Sequence, residues 1–237
     1  MEASPAPQEP GPPGAPQRRG ALVFGGLMVV VIAVIVGILV LGGDDDEDSD
    51  AAAEAGSCEA VEAPAPKEVD LPGPDAETPS ASTVIFETSC GSFTVTLDAE
   101  RAPKTAASFE YLAAEGVYDG TPFHRVAPGF VVQGGDPSGD GTGGPGYSVT
   151  EKPPGTLSYA RGLVAMAKTG AEPPGTSGSQ FFVVTAEADA GLPPDYALVG
   201  EVTEGYETIE EIEALGSPGT DGPPSEPVVV ESATPEG

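Results

Sequence analysis

A chain of 237 residues is long enough for one domain or two small ones. Its 38 acidic side chains against 9 basic ones leave a formal net charge of −29, which argues against nucleic acid, whose recognition rests on basic patches facing phosphate. One histidine, His124, and two widely spaced cysteines, Cys58 and Cys90, exclude the usual zinc constellations and every paired-histidine motif, so neither a metal nor a cofactor is expected.

Residues 1–20 are Pro-rich and their charges, Glu2, Glu9, Arg18 and Arg19, cancel; a disordered tail is expected. Residues 21–41 then carry no charge and no amide and are rich in Val, Ile and Leu. At 1.5 Å per residue that run reaches about 30 Å, the thickness of a bilayer core, so residues 21–43 are expected to cross a membrane as one helix. Arg18 and Arg19 precede it, while Asp44, Asp45, Asp46, Glu47, Asp48 and Asp50 follow. That asymmetry leaves the N-terminus in the cytoplasm and the bulk of the chain outside. A cleaved signal peptide is the alternative, but its apolar region would run only about 7–15 residues. Residues 44–81 are acidic and then studded with Pro64, Pro66, Pro72, Pro74 and Pro79. They read as an extended, disordered linker, with too little apolar surface to offset the entropy of ordering.

From residue 82 the character changes, and one globular domain is expected over 82–237. The runs 83–88 (TVIFET) and 93–98 (FTVTLD) are β-branched and alternating about a short turn, a hairpin pattern. Residues 103–115 read as a helix: Pro103 suits its first turn, Ala106, Phe109, Leu112 and Ala113 share a face, and Gly116 can end it. Further strands are expected at 123–126, 130–133, 163–167, 180–185, 197–202 and 227–231. A second helix is expected at 206–215, with Ile209, Ile212 and Leu215 on one side. Many short strands with Gly/Pro turns and only two helices describe a mostly β fold, a closed barrel.

Gly141, Gly143 and Gly146 spell G-x-G-x-x-G, but no strand leads in and no helix leads out, so the dinucleotide reading fails and a flexible loop is expected. Scarce chemistry gathers elsewhere. The chain has no Asn and four Gln, of which the domain holds only Gln133 and Gln180; its single histidine lies at Phe123-His124-Arg125, just before Gln133. Strand alternation puts Phe123 and Arg125 on one face and His124 on the other, and divides Phe130 and Val132 from Val131 and Gln133. Taken alone, an arginine on a strand of an acidic domain reads as the partner of a surface carboxylate.

Residues 123–136 (FHRVAPGFVVQGGD), together with 178–182 (GSQFF) and the loop 141–144 (GTGG), resemble the signature of cyclophilin-type peptidyl-prolyl cis-trans isomerases, in particular membrane-anchored bacterial forms with an extracytoplasmic domain. The resemblance spans about residues 83–234. It implies an eight-stranded antiparallel barrel capped by two helices and clients that are proline-containing polypeptides; a monomer is expected separately from it. By the same resemblance Arg125 is the catalytic arginine. Phe130, Val131 and Phe182 line the proline pocket, and Leu192 closes its far wall. Gln133 bonds the substrate carbonyl and holds Arg125. Gly141, Ala167, Lys168 and Gln180 take the residues preceding proline. The chain departs from the family at Gly191, where Trp is frequent, at Tyr196, where His stands, and at Lys168, where Asn is frequent; the missing indole bears on cyclosporin binding more than on catalysis.

The activity so implied is rotation about Xaa-Pro bonds, assisting the folding of exported or cell-surface proteins; the alternative is a catalytically weak binding or scaffold domain for proline-containing segments. Phe181, alternating with Phe182, is expected in the core. Cys58 and Cys90 both fall outside the membrane in this topology, where an even count favours a disulfide over two free thiols.

Overall fold

The structure is a computed structural model and describes residues 58–237. The expected tail, the membrane helix and the first part of the linker lie outside the described residues. Among those that are described, no helix is long and apolar enough to cross a membrane.

Strands β1 (Thr83–Thr88) and β2 (Gly91–Leu97) form the expected hairpin, in which Val84 pairs with Val95 and Phe86 with Phe93 on the buried face. Helix α1 (Pro103–Ala114) begins on its proline and buries Ala106, Phe109, Leu112 and Ala113. No side chain of its own caps it. Instead the Glu151 carboxylate accepts from the backbone N–H groups of Thr105 at 2.8 Å and Lys104 at 3.3 Å, placing negative charge at the positive end of the helix. There follow β3 (Arg125–Ala127), β4 (Val131–Gly134), β5 (Val149–Thr150), β6 (Leu163–Met166), β7 (Thr176–Ser177), β8 (Phe181–Val184), β9 (Leu198–Glu204), α2 (Tyr206–Ala214) and β10 (Val230–Glu236). The two-residue strands β5 and β7 pair only with each other.

The other eight strands make one antiparallel sheet in the order β10-β1-β2-β9-β6-β8-β4-β3. It curls, but the closed barrel expected from the sequence does not form. Its end strands β10 and β3 share no ladder. The segment before β3 meets the start of β10 only through an isolated bridge, Pro122 to Val229, and scattered backbone bonds such as Phe123 N to Val228 O, while Val126 of β3 bridges to Gly222 in the loop after α2. Pro122 on one side and Pro223, Pro224 and Pro227 on the other have no N–H to donate, so no continuous ladder can run through these flanking segments.

Inside the curl, Phe86, Phe93, Phe109, Tyr118, Phe123 and Phe181 pack ring against ring, from the stacked Phe86–Phe93 pair at 4.9 Å to the edge-on Phe93–Phe123 pair at 6.4 Å. Alternation turns every second residue outward. Val126, Val132, Val164, Phe181 and Val183 face this core, whereas Ala127, Val131, Ala165, Phe182 and Val184 form a second apolar cluster on the convex side. That second cluster is the floor of the site.

The disordered spacer expected over 44–81 is corrected for its described part. Residues 58–81 contain no helix or strand, yet they lie along the domain as a strap. The strap donates from Glu59 N to Ser89 O at 2.6 Å, from Lys67 N to Pro137 O at 2.9 Å and from Leu71 N to Pro145 O at 2.8 Å. Val69 and Leu71 pack against the core, and Lys67 Nζ reaches Asp119 O at 2.6 Å. Cys58 and Cys90 are joined by a disulfide. A few apolar side chains, three backbone bonds and one covalent tie are enough to order a segment whose composition alone reads as coil.

Candidate active site

On the convex face, β3, β4 and β8 lie side by side. The register sets Arg125 opposite Gln133, and Gln133 opposite Phe182, so three outward side chains line up across neighbouring strands. Phe130, in the turn before β4, and Leu192 and Tyr196, in the segment before β9, close the sides. A cavity of about 140 Å³ results, lined by Arg125, Phe130, Val131, Gln133, Ala167, Lys168, Phe182, Leu192 and Tyr196.

Its polar groups form a chain. Arg125 Nη1 donates to Gln133 Oε1 at 2.8 Å, Gln133 Nε2 donates to Gln180 Oε1 at 3.0 Å, and Gln180 Nε2 donates to the carbonyls of Gly141 and Gly143 at 3.0 and 2.9 Å. The two glutamines therefore relay orientation from the glycine loop to the guanidinium. On the opposite edge, Arg125 Nε and Nη2 donate to Asp221 Oδ1 and Oδ2 at 2.6 and 2.8 Å. Those bonds hold the guanidinium above its ordinary pKa and the Asp221 carboxyl below its own. The arginine is charged throughout the physiological range. Its Cζ stands 6.0 Å from the centre of the Phe130 ring.

The apolar wall is braced from behind. Phe182 and Tyr196 meet edge to face at 5.5 Å, and Tyr159 meets Tyr196 at 6.0 Å. The Tyr159 hydroxyl donates to Tyr196 O at 2.7 Å and accepts from Tyr196 N at 3.0 Å; burial pushes this phenol up to about 12. Lys168 Nζ lies 5.6 Å from the Tyr196 ring centre and donates to the carbonyls of Thr169 and Glu172, both at 3.1 Å.

A second, wider cavity of about 700 Å³ adjoins the first and shares Gln133, Ala167 and Lys168 with it. Gly141, Gly143 and Gln180 are among its walls. The G-x-G-x-x-G loop is thus a structural loop. A Cβ on Gly143 would fall on the Asp136 carboxylate, and one on Gly146 would come within 2.5 Å of Asp70 Oδ1. The glycines allow close packing of the loop, Asp136 and the strap.

The structure brings Arg125, Phe130, Val131, Gln133, Ala167, Lys168, Phe182, Leu192 and Tyr196 to the first cavity and Gly141 and Gln180 to the second. Cys58 and Cys90, bonded to each other, line neither. One expectation is corrected. Phe123 does not share a face with Arg125: it is fully buried in the core while Arg125 is outside, because β3 starts only at Arg125 and alternation does not extend back across His124. Sequence reasoning missed Asp221, Tyr159 and Asp136. Asp136 accepts from Gly141 N at 2.5 Å and Ser138 N at 2.9 Å and so shapes the glycine loop. Its place in the 123–136 motif is the only sequence signal for any of the three.

The family model described as cyclophilin type peptidyl-prolyl cis-trans isomerase/CLD matches residues 83–235. A Mycobacterium leprae protein described as a probable peptidyl-prolyl cis-trans isomerase A is 39% identical over 171 residues, covering 65% of this chain and 91% of that protein. Peptidyl-prolyl cis-trans isomerase B of Bacillus subtilis is 50% identical over 111 residues, covering 46% of this chain and 73% of the relative. Among solved structures, a Cryptosporidium parvum cyclophilin type peptidyl-prolyl cis-trans isomerase in the presence of the dipeptide Ala-Pro is similar with a TM-score of 0.59 at 30% identity, covering 65% of this chain and 99% of that one. The chain belongs to the cyclophilin-type peptidyl-prolyl cis-trans isomerases.

Proposed function

We propose that this isomerase turns Xaa-Pro bonds in exported or cell-surface polypeptides from the outer face of a membrane, held there as a monomer by one helix over residues 21–43. Rotation about a prolyl amide meets a barrier near 20 kcal/mol because nitrogen shares its lone pair with the carbonyl. No bond has to break. A catalyst has only to favour the twisted state, in which the nitrogen turns pyramidal and can accept a hydrogen bond. Arg125 supplies the donor. Phe130, Val131, Phe182 and Leu192 hold the pyrrolidine ring in the smaller cavity, and Gln133 binds the substrate carbonyl. Residues preceding the proline run past Ala167 and Lys168 into the larger cavity, toward Gly141 and Gln180.

The observation that carries the reading is a permanently charged arginine, bonded to a glutamine, facing the apolar wall of Phe130, Val131, Phe182 and Leu192 in a cavity of ring size. Exchange spectroscopy on a short Ala-Pro peptide tests it. The full chain speeds exchange, and Arg125→Ala lowers kcat/KM roughly 100-fold or more with the fold intact; an Arg125→Ala chain of undiminished activity sinks the mechanism. The support for anchoring is the uncharged run 21–41 and its flanking charges. Protease added to intact cells should remove the domain while alkali leaves the anchor in the membrane fraction, and release of the whole chain by alkali contradicts the anchor.

A further inference from the structure

The catalytic arginine is gripped on both edges, and only one grip belongs to the strands. Gln133 holds Nη1 from β4. The other comes from the loop after α2, where Asp221 takes Nε–H and one Nη2–H in a two-point fork. Backbone geometry delivers that carboxylate. Thr220 N and Oγ1 both return to Ser217 O, turning the chain, and Gly222 then exchanges backbone bonds with Val126, at 2.7 Å from Val126 N and 3.3 Å from Gly222 N. Since Val126 follows Arg125 and Gly222 follows Asp221, this isolated bridge carries the carboxylate alongside the guanidinium.

Of the five N–H donors of an arginine, three are then committed. One on Nη1 and one on Nη2 remain for a substrate. The Asp221 side chain is 58% exposed and makes no other hydrogen bond among the described residues, so it contributes little to holding the fold together. A solvent-exposed ion pair of that kind is a weak stabiliser. Bidentate pairing of a planar fork does something else, because it fixes the plane in which the remaining donors lie.

We propose that Asp221 is a positioning residue for the isomerisation: its fork sets the guanidinium plane so that the two uncommitted N–H groups meet the twisted prolyl amide. The inference rests on the isomerase reading. It predicts that the isosteric Asp221→Asn, made in the full chain, lowers kcat on an Ala-Pro peptide about tenfold and leaves KM within about twofold, because the lost order matters only in the transition state. In the same variant the Arg125 Nε–H signal, in nitrogen-15-labelled protein with only five arginines, loses its protection from solvent exchange. Unchanged kcat overturns the role, as does a fall in activity that comes from KM alone or with the Nε–H signal still protected. The failures are distinguishable: a wild-type chain that does not speed exchange removes the isomerase reading, whereas an active wild type matched by Asp221→Asn removes only the role of Asp221.

Discussion

An arginine on a strand of an acidic domain pairs by default with a surface carboxylate, and Arg125 does pair with one, Asp221, while also lining a cavity with an apolar wall. The two roles are compatible because guanidinium has more donors than either partner uses. Its neighbour His124 behaves oppositely. His124 is half-buried, and burial lowers its pKa below 6.5, opposed in part by Asp136, a backbone hydrogen bond to Pro122 and Asp140, and assisted by Arg125. The folded protein therefore resists a proton that the unfolded chain accepts. Stability is fully present above about pH 6.5 and declines as pH falls from there through the lowered value. His124 is the chain's only histidine, and most carboxylates titrate below about pH 5, so the denaturation midpoint should slope between about pH 5 and 6.5 and His124→Gln should flatten it. A variant with the same slope would show that another group titrates. Catalysis should be flat over that range, since Arg125 does not change charge.

At the scale of the element, β8 shows how one strand serves two tasks. Phe181 points into the ring cluster against Phe86, Phe109, Tyr118 and Phe123, whereas the next residue, Phe182, points out to the site beside Tyr196. Phe181→Ala should cost about 3–5 kcal/mol of stability by leaving a closed cavity, seen as a lower denaturant midpoint. Phe182→Ala leaves a space open to solvent, so it should cost less stability but lower kcat/KM roughly tenfold on an Ala-Pro peptide. Equal losses of stability in the two variants would contradict the division. This alternation was legible in the run QFFVVT, as were the hairpin and both helices. The pair β5 and β7 was not, because two residues give no period to read. Nor was the cap on α1, since Glu151 lies far along the chain and meets the helix only in the folded state.

Across the whole molecule, the strap from Cys58 to residue 81 ties the glycine loop to the body. Leu71 N bonds Pro145 O, Asp70 lies against Gly146, and the disulfide fixes the far end to Cys90. The bridge spans a sequence separation of 32 residues, so reducing it should lower stability by about 3–4 kcal/mol in the chain-entropy model. Unfolding with and without reductant measures this, and coincident curves would show that the tie does not constrain the unfolded chain. The acidity that argues against nucleic acid stops short of the smaller cavity, which is lined by two cations, Arg125 and Lys168, and by no carboxylate, while Asp221 pairs with Arg125 and Glu172 lines the larger cavity. Local order and scarcity were enough to settle the β-rich class, the hairpin, the helices and the prominence of Arg125, Gln133 and Gln180, because alternation, periodicity and composition are properties of neighbours in the chain. Only the tertiary structure decided that the sheet stays open between β3 and β10, that residues 58–81 dock, and that Asp221 and Tyr159 brace the site. Each of those depends on contacts between residues dozens of positions apart, which no local pattern encodes.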